Sequence, residues 1–241
     1  MRRVVITGGG TGIGRAVASA FARSEEEAEV VVTGRRAKPL DEVAAQFGSI
    51  VRGVSFDAAD PAQVERALAE LPDKVDVLVN AAGGNTDIGA AEPTNLSDLA
   101  SAWRANLDSN LISAVLMTAA LRDRLAPGGA VINFSSIAAR RGGAGSYAAA
   151  KAAIESWNLT LARELGADGI TANVIAPGFI EGTEFFRGRM TDARRSALIA
   201  QTANGRAGTV DDIAAVALFL ASPSASHVTG QTIHVNGGAL S

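Results

Sequence analysis

"RVVITGGGTGIG", residues 3–14, decides the fold. Its first half is a short apolar run rich in β-branched residues, as expected of a strand buried on both faces. Three glycines follow, and "GIGRAVASAFAR" (12–23) then carries apolar residues at helical spacing. A buried strand that passes through glycines straight into a helix opens a βαβ unit. Gly8, Gly12 and Gly14 have the spacing G-x-x-x-G-x-G. Glycines let the backbone turn sharply and approach a pyrophosphate, and the N-terminus of the next helix offers free N–H groups and a favourable dipole. A tight turn without any ligand would use the same glycines, so the rest of the chain has to decide between the two.

The pattern repeats outward from this unit. Runs 29–34, 75–80, 130–135, 170–177 and 231–236 are short, rich in Val and Ile, and bounded by Gly or Pro; 50–56 is a weaker strand. Amphipathic helices are predicted over 39–47, 61–70, 97–125, 146–166 and 210–221. Asp60-Pro61 supplies a cap and a first-turn proline, and Thr209 with Asp212 resembles a capping box. Strands alternating with helices imply an α/β fold, a Rossmann-type doubly wound parallel sheet of about seven strands with helices on both faces. No break in composition divides the 241 residues, so one domain over 1–241 is expected. The stretch 178–208 is long, only partly helical, and follows a strand end, where ligands of such sheets bind. A substrate lid is expected at about 181–208.

Composition narrows the function. Hydrophobic residues make up 47% of the chain and the net charge is −3, which argues against a general nucleic-acid binder. There is no cysteine, so disulfides and thiolate zinc sites are excluded, and no metal site is expected. No apolar run is long enough to span a bilayer. A soluble, cytoplasmic protein without nucleic-acid or membrane partners is expected. Arginines number 19 against three lysines, and Tyr147 is the only tyrosine. A biased genome would give such a skew, so placement has to carry the argument.

Tyr147 and Lys151 stand four apart in "SYAAAKAA", on one face of a predicted helix. A free phenol titrates near ~10. A nearby cation is expected to lower that by ~1–3 units. A phenol tuned in this way protonates a carbonyl oxygen or deprotonates an alcohol. The neighbouring alanines leave room for a bulky cofactor. At the tip of the second strand, Gly34 stands where an acid would hold the ribose hydroxyls of NAD, and Arg35 and Arg36 follow. A guanidinium fork suits a 2′-phosphate, which favours NADP(H) while leaving NAD open. Arg15 adds positive charge nearby.

Taken in order, these stretches resemble the short-chain dehydrogenase/reductase family, whose pattern T-G-x-x-x-G-x-G matches residues 7–14. The resemblance implies that Gly8, Thr11, Gly12, Ile13 and Gly14 hold the cofactor. It places Asp57 and Ala58 at the adenine. "NAAG" (80–83) resembles the family's N-N-A-G with Ala81 at the second Asn, so Asn80, Ala81 and Gly83 are assigned to the cofactor, Asn80 also holding the central strands. A family serine that meets the substrate carbonyl falls on Ser136, with Ser135 the alternative. Trp103 followed by "NLIS" makes Asn110 the residue that binds a water linking Lys151 to solvent. Tyr147 and Lys151 complete the catalytic set and also touch the cofactor. Pro177, Gly178, Ile180 and Thr183 resemble the segment over the carboxamide and phosphates, with one extra residue before Thr183. The C-terminal segment resembles the family's last helix and strand, with Asn236 for the usual Asp.

The implied activity is hydride transfer between NADP(H) and a ketone or secondary alcohol. One branch, the 3-oxoacyl-acyl-carrier-protein reductases, uses basic residues to dock an acidic carrier. Here Asp168 stands where an arginine is expected, while Arg122 and Arg124 remain as candidates. A non-catalytic NADP(H) sensor or scaffold is the rival of another class, and retention of both Tyr147 and Lys151 argues against it. The lid's Arg187, Arg189, Arg194 and Arg195, beside Phe185 and Phe186, either meet an acidic substrate group or are solvated. The family is commonly homotetrameric, so a homotetramer is expected.

Overall fold

Each apolar run becomes a strand. The computed structural model of the protein describes residues 1–24 and 27–240. In it β1 (Arg2–Thr7), β2 (Ala28–Gly34), β3 (Val51–Ser55), β4 (Val75–Asn80), β5 (Leu125–Phe134), β6 (Thr171–Pro177) and β7 (Thr232–Val235) form one sheet. The spatial order is β3-β2-β1-β4-β5-β6-β7, and the described pairings are all parallel. The helices are α1 (Gly12–Arg23), α2 (Ala37–Phe47), α3 (Pro61–Ala67), α4 (Leu96–Leu107), α5 (Ser113–Leu121), α6 (Ala138–Arg141), α7 (Gly145–Leu165), α8 (Asp192–Ile199) and α9 (Val210–Ala221). This is the Rossmann-type, doubly wound α/β arrangement.

Alternation along a strand explains why the runs are apolar throughout. Val4 and Ile6 project to one face and pack with Val17 and Phe21 of α1, Val43 of α2 and Ile213 of α9. Val5 projects to the other and packs with Val64 of α3, Met117 of α5 and Leu161 of α7. Both faces are covered, so the buried positions Val4–Thr7 of β1 do not tolerate a polar side chain without a partner. Each such buried side chain contributes ~1.5–3 kcal/mol.

Local signals account for the ends. The Asp60 carboxylate accepts the Gln63 N–H at 3.1 Å, and Thr209 and Asp212 make a reciprocal capping box. α2 starts at Ala37 rather than 39. Pro39 lies in its first turn, where a missing N–H leaves no bond unmade. The helix predicted over 97–125 is divided: α4 and α5 are separated by a π turn at Asp108–Ile112, and α5 ends at Leu121. β5 begins at Leu125 rather than 130. Gly129 lies so close to β4 that a Cβ there would sit 2.7 Å from the Asp76 carbonyl oxygen, which lets the Pro-Gly-Gly stretch run on against the sheet.

Strand order reverses between β1 and β4, which opens a crevice at their carboxyl ends. Thr7 is paired with both Thr33 and Asn80, and Asn80 with Asn133, so these ends share one edge. Segment 178–208 leaves β6 at that edge and returns to where it left: Ile180 and Gly208 form a bridge, with Glu181 N–H donating to the Gly208 carbonyl at 2.9 Å. Among the described residues no helix is long and apolar enough to cross a membrane.

Candidate active site

A cleft of about 1010 Å³ follows the carboxyl edge of the sheet. One end is the glycine turn. Gly8 has φ +67°, and a Cβ on Gly14 would overlap the Gly8 carbonyl oxygen, so the start of α1 presses directly on the turn. Thr11, Gly12 and Ile13 line the cleft beside them. Thr11 is the residue before α1 and makes no side-chain cap, which leaves first-turn N–H groups for a ligand. Ala82 N–H donates to the Thr7 hydroxyl at 3.0 Å, clamping the β1 and β4 tips together.

Arg35, Arg36, Asp57 and Ala58 line the cleft next to this turn. The Asp57 carboxylate accepts the Ala59 N–H at 3.0 Å, and the Asp57 N–H donates to Gln63 Oε1 at 3.0 Å. Arg36 Nη2 is 2.7 Å from Glu184 Oε2. Pro177, Gly178, Ile180 and Thr183 form the opposite wall. Thr183 stands over the turn, 3.6 Å from where a Cβ on Gly12 would lie.

Asn80 is placed differently from its neighbours. Its Nδ2 donates to Thr118 Oγ1 at 3.0 Å and to Asn133 Oδ1 at 2.9 Å, beneath the cleft. Its side chain therefore does the strand-holding half of what was expected, while Ala81 and Gly83 line the cleft.

The other end holds the reactive side chains. Helix α7 carries Tyr147 and Lys151 on its buried face. The strand-end serines divide the work. Ser135 Oγ lies 3.0 Å from the Lys151 carbonyl oxygen and 2.8 Å from Glu155 Oε1, and its single proton is shared between these two acceptors, so its hydroxyl serves α7. Ser136 lines the cleft together with Tyr147, and its Oγ accepts the Ala138 N–H at 3.2 Å. The geometry thus favours Ser136 of the two.

The expected lowering of the Tyr147 pKa is not what the structure gives. Burial pushes the phenol up to about 12, against a smaller lowering by the neighbouring Ser136 hydroxyl. Burial also brings Lys151 down to about 8. The lysine is not hydrogen-bonded to the phenol: Nζ donates to the Phe134 carbonyl at 2.9 Å and lies 5.8 Å from the Tyr147 ring centre. Desolvation is the dominant cause of both shifts.

Asn110 lies in the π turn, buried under loop 83–84. Its Nδ2 donates to the Gly84 and Asn106 carbonyls at 2.9 Å each, and its Oδ1 accepts the Gly84 N–H at 2.9 Å. A Cβ on Gly83 would sit 2.5 Å from Asn110 Oδ1 and 3.3 Å from Lys151 Nζ, so the three residues meet at one point. The Asn110 amide holds that loop beside Lys151.

Two features were not foreseen. Asn106 Nδ2 reaches both Asp87 Oδ1 and Ser146 Oγ at 2.9 Å, tying the loop after β4 to the residue before Tyr147. Asn133 Nδ2 donates to Asn158 Oδ1 at 3.0 Å, extending the Asn80 contacts into a buried chain. The readable signal was an amide inside an otherwise apolar strand, "VINF", which has to find partners. Among the lid aromatics, Phe185 packs on Tyr147 with ring centres 5.6 Å apart, and Arg194 lies over Phe186 at 5.1 Å. Among the described residues no cluster of three His, Asp or Glu is arranged to hold a metal ion.

The comparisons with known proteins agree with this architecture. A family model described as enoyl-(acyl carrier protein) reductase matches residues 8–239. The 3-oxoacyl-[acyl-carrier-protein] reductase FabG of Salmonella typhimurium is 35% identical over 97% of this chain and 95% of its own length. Among solved structures, a short-chain dehydrogenase/reductase from Brucella melitensis, described as a glucose/ribitol dehydrogenase, is 31% identical with a TM-score of 0.88, covering 100% of this chain and 97% of that one. A blue fluorescent protein from a metagenomic library, in complex with NADPH, is 33% identical with a TM-score of 0.84, covering 100% and 98%. Matches of this extent, on a chain that brings Ser136, Tyr147 and Lys151 to the end of a glycine-lined cleft, place the protein in the short-chain dehydrogenase/reductase family of oxidoreductases.

Proposed function

We propose that the protein is an NADP(H)-dependent oxidoreductase that interconverts a ketone and a secondary alcohol, with Ser136 and Tyr147 on the reacting oxygen. The observation that carries this is that Ser136, Tyr147 and Lys151 line one end of a cleft whose other end is a glycine turn flanked by Arg35 and Arg36. The residues fit the cofactor: the Gly8–Gly14 turn leaves space and N–H groups for a pyrophosphate, and the two arginines suit a 2′-phosphate. Asp57 and Ala58 are assigned to the adenine side, and Pro177, Gly178, Ile180 and Thr183 to the nicotinamide side. When bound, the nicotinamide supplies or accepts the hydride.

The chain's own groups handle the oxygen. Tyr147, protonated at neutral pH by its raised pKa, is ready to donate a proton to a carbonyl oxygen. Ser136 holds that oxygen with a second hydrogen bond, which strengthens as negative charge develops. Lys151, still mostly charged at pH 7 with a pKa of about 8, favours the phenolate that remains. Asn110 keeps loop 83–84 against Lys151, and any proton relay from solvent to the lysine passes beside it. Tyr147→Phe is expected to abolish turnover in a panel of ketones, acyl thioesters and sugars while NADPH still binds. Turnover retained in that variant would overturn the assignment.

The second reading, 3-oxoacyl-acyl-carrier-protein reductase, draws support from the 35% identical FabG relative. Against it, Arg122 pairs with Glu164 at 3.1 Å and Arg124 donates to the Leu68, Leu71 and Pro72 carbonyls, so both docking candidates are engaged within the chain. A carrier-bound acyl substrate outperforming its small thioester mimic would favour this reading. We also assign the chain to one catalytic domain, 1–241, with 181–208 as a lid, acting in the cytoplasm as a homotetramer. The half-exposed Leu159 and Phe219 on α7 and α9 support the assembly. Light scattering on the eluted protein tests it.

A further inference from the structure

Arg36 already holds a carboxylate. Its Nη2 lies 2.7 Å from Glu184 Oε2, which belongs to the segment on the far wall of the cleft. Both residues line the cleft. Glu184 is fixed between Thr183, which stands over the Gly12 turn, and Phe185, which packs on Tyr147. It therefore reaches Arg36 from a position already tied to both ends of the site. The β2 tip itself offers no acid, since Gly34 stands there.

We infer that Glu184 is an internal competitor for the guanidinium that reads the cofactor's 2′-phosphate, and so sets how strongly the chain prefers a phosphorylated dinucleotide. The inference rests on the proposal that Arg36 meets that phosphate. A carboxylate oxygen and a phosphate oxygen make the same charge-assisted bond to one guanidinium edge. A phosphate carries close to two negative charges at neutral pH. It therefore displaces Glu184 or is repelled by it. A ribose without the phosphate presents only neutral hydroxyls, which do not repel the carboxylate and compete for the arginine far less than a phosphate does. Glu184 consequently weakens the binding of NADP(H) without a matching penalty on NAD(H). The two side chains are 61% and 65% exposed. Water and salt screen such a pair, so the handicap corresponds to about a 2- to 5-fold change in affinity rather than orders of magnitude.

The test titrates wild type, Glu184→Gln, Glu184→Ala, Arg36→Ala and the double variant Arg36→Ala/Glu184→Gln. NADPH and NADH are followed by their fluorescence, and 2′,5′-ADP and 5′-AMP by calorimetry, so no turnover is involved. Both Glu184 variants are expected to bind NADPH and 2′,5′-ADP about 2- to 5-fold more tightly, with NADH and 5′-AMP unchanged. The gain is expected to shrink in about 0.5 M salt and to vanish in the Arg36→Ala background. Unchanged or weaker NADPH binding in the Glu184 variants overturns the inference, as does equal tightening of NADH or a gain that survives Arg36→Ala. If Arg36→Ala leaves the ratio of NADPH to NADH affinity as in wild type, the phosphate contact itself fails. If Arg36→Ala weakens NADPH selectively while the Glu184 variants gain nothing, only the role of Glu184 falls.

Discussion

Lys151 and Tyr147 make opposite demands on the proton. Lys151 titrates at about 8 in the folded protein against 10.5 for an ordinary lysine. Between those values the unfolded chain holds more protons, so the lysine's contribution to stability is complete above 10.5 and is lost as pH falls through 8. Tyr147 titrates at about 12 against 10.0. Its contribution is complete below 10 and is lost as pH rises through 12. The buried ammonium is therefore a cost that the fold carries at neutral pH, in the place where charge beside a phenolate is useful. Lys151→Met is expected to remove the first dependence. Urea unfolding at pH 7 and pH 10 should show the wild type gaining about 2–3 kcal/mol more than the variant over that interval. Equal gains in both proteins would mean that the lysine is not desolvated. In the reductive direction, kcat/KM is expected to stay level through neutral pH and fall above about 8 as Lys151 loses its charge. Lys151→Met should show low activity without that inflection.

The elements around Lys151 show where a sequence stops being informative. "YAAAK" places Tyr147 and Lys151 on one helical face whatever the surroundings, so that pair was legible. The break between α4 and α5 was not. Nothing in the residues 97–125 prohibits a continuous helix, and the π turn at Asp108–Ile112 goes with Asn110 bonding backbone across the cleft floor, a tertiary demand. The tyrosine's pKa was misread for the same reason: sequence spacing gives the distance along a helix but not the burial of the groups it brings together. Gly83 and Gly84 separate these effects experimentally. Both have φ near +150°, but a Cβ on Gly83 meets Asn110 and Lys151 while one on Gly84 meets nothing within 4 Å. Each alanine variant is expected to lose about 1–3 kcal/mol to backbone strain. Gly83→Ala should lose more, and its kcat should fall by at least about tenfold, a loss equal to ~1.4 kcal/mol of barrier. Gly84→Ala should keep most of its activity. Equal losses of stability and of kcat would show that the Asn110 contact does not position Lys151.

At the scale of the molecule, the parallel sheet brings Gly8, Gly83, Ser136 and Pro177 to one edge from four separate strand ends. That much follows from strand order, which the alternation of runs made legible, and the glycine turn located the crevice. What the runs did not reveal is how the strand tips are held in register beneath the reacting groups. A buried chain of one hydroxyl and three amides does this: Thr118 on α5, Asn80 on β4, Asn133 on β5 and Asn158 on α7, ending on the Ala172 carbonyl of β6. Asn133 is three residues before Ser136, so the chain supports the same strand that presents the serine. Hydrogen bonds in such a network are coupled, because removing one member strands its neighbours' polar atoms in a dry interior. Asn133→Ala leaves Asn158 Oδ1 and one Asn80 N–H without their partner, and a loss of about 2–4 kcal/mol of unfolding free energy is expected. Asn158→Ala should cost a similar amount. Because the two share a bond, the double variant should lose less than the sum of the singles by about 1 kcal/mol or more. Thr209→Ala, which removes the capping box of α9 outside this network, should lose about 1 kcal/mol and add to Asn133→Ala within about 0.5 kcal/mol. Denaturant unfolding of the five variants measures both cycles. Additivity in the asparagine cycle would mean that each amide acts alone and that the chain does not set the register of the strand tips.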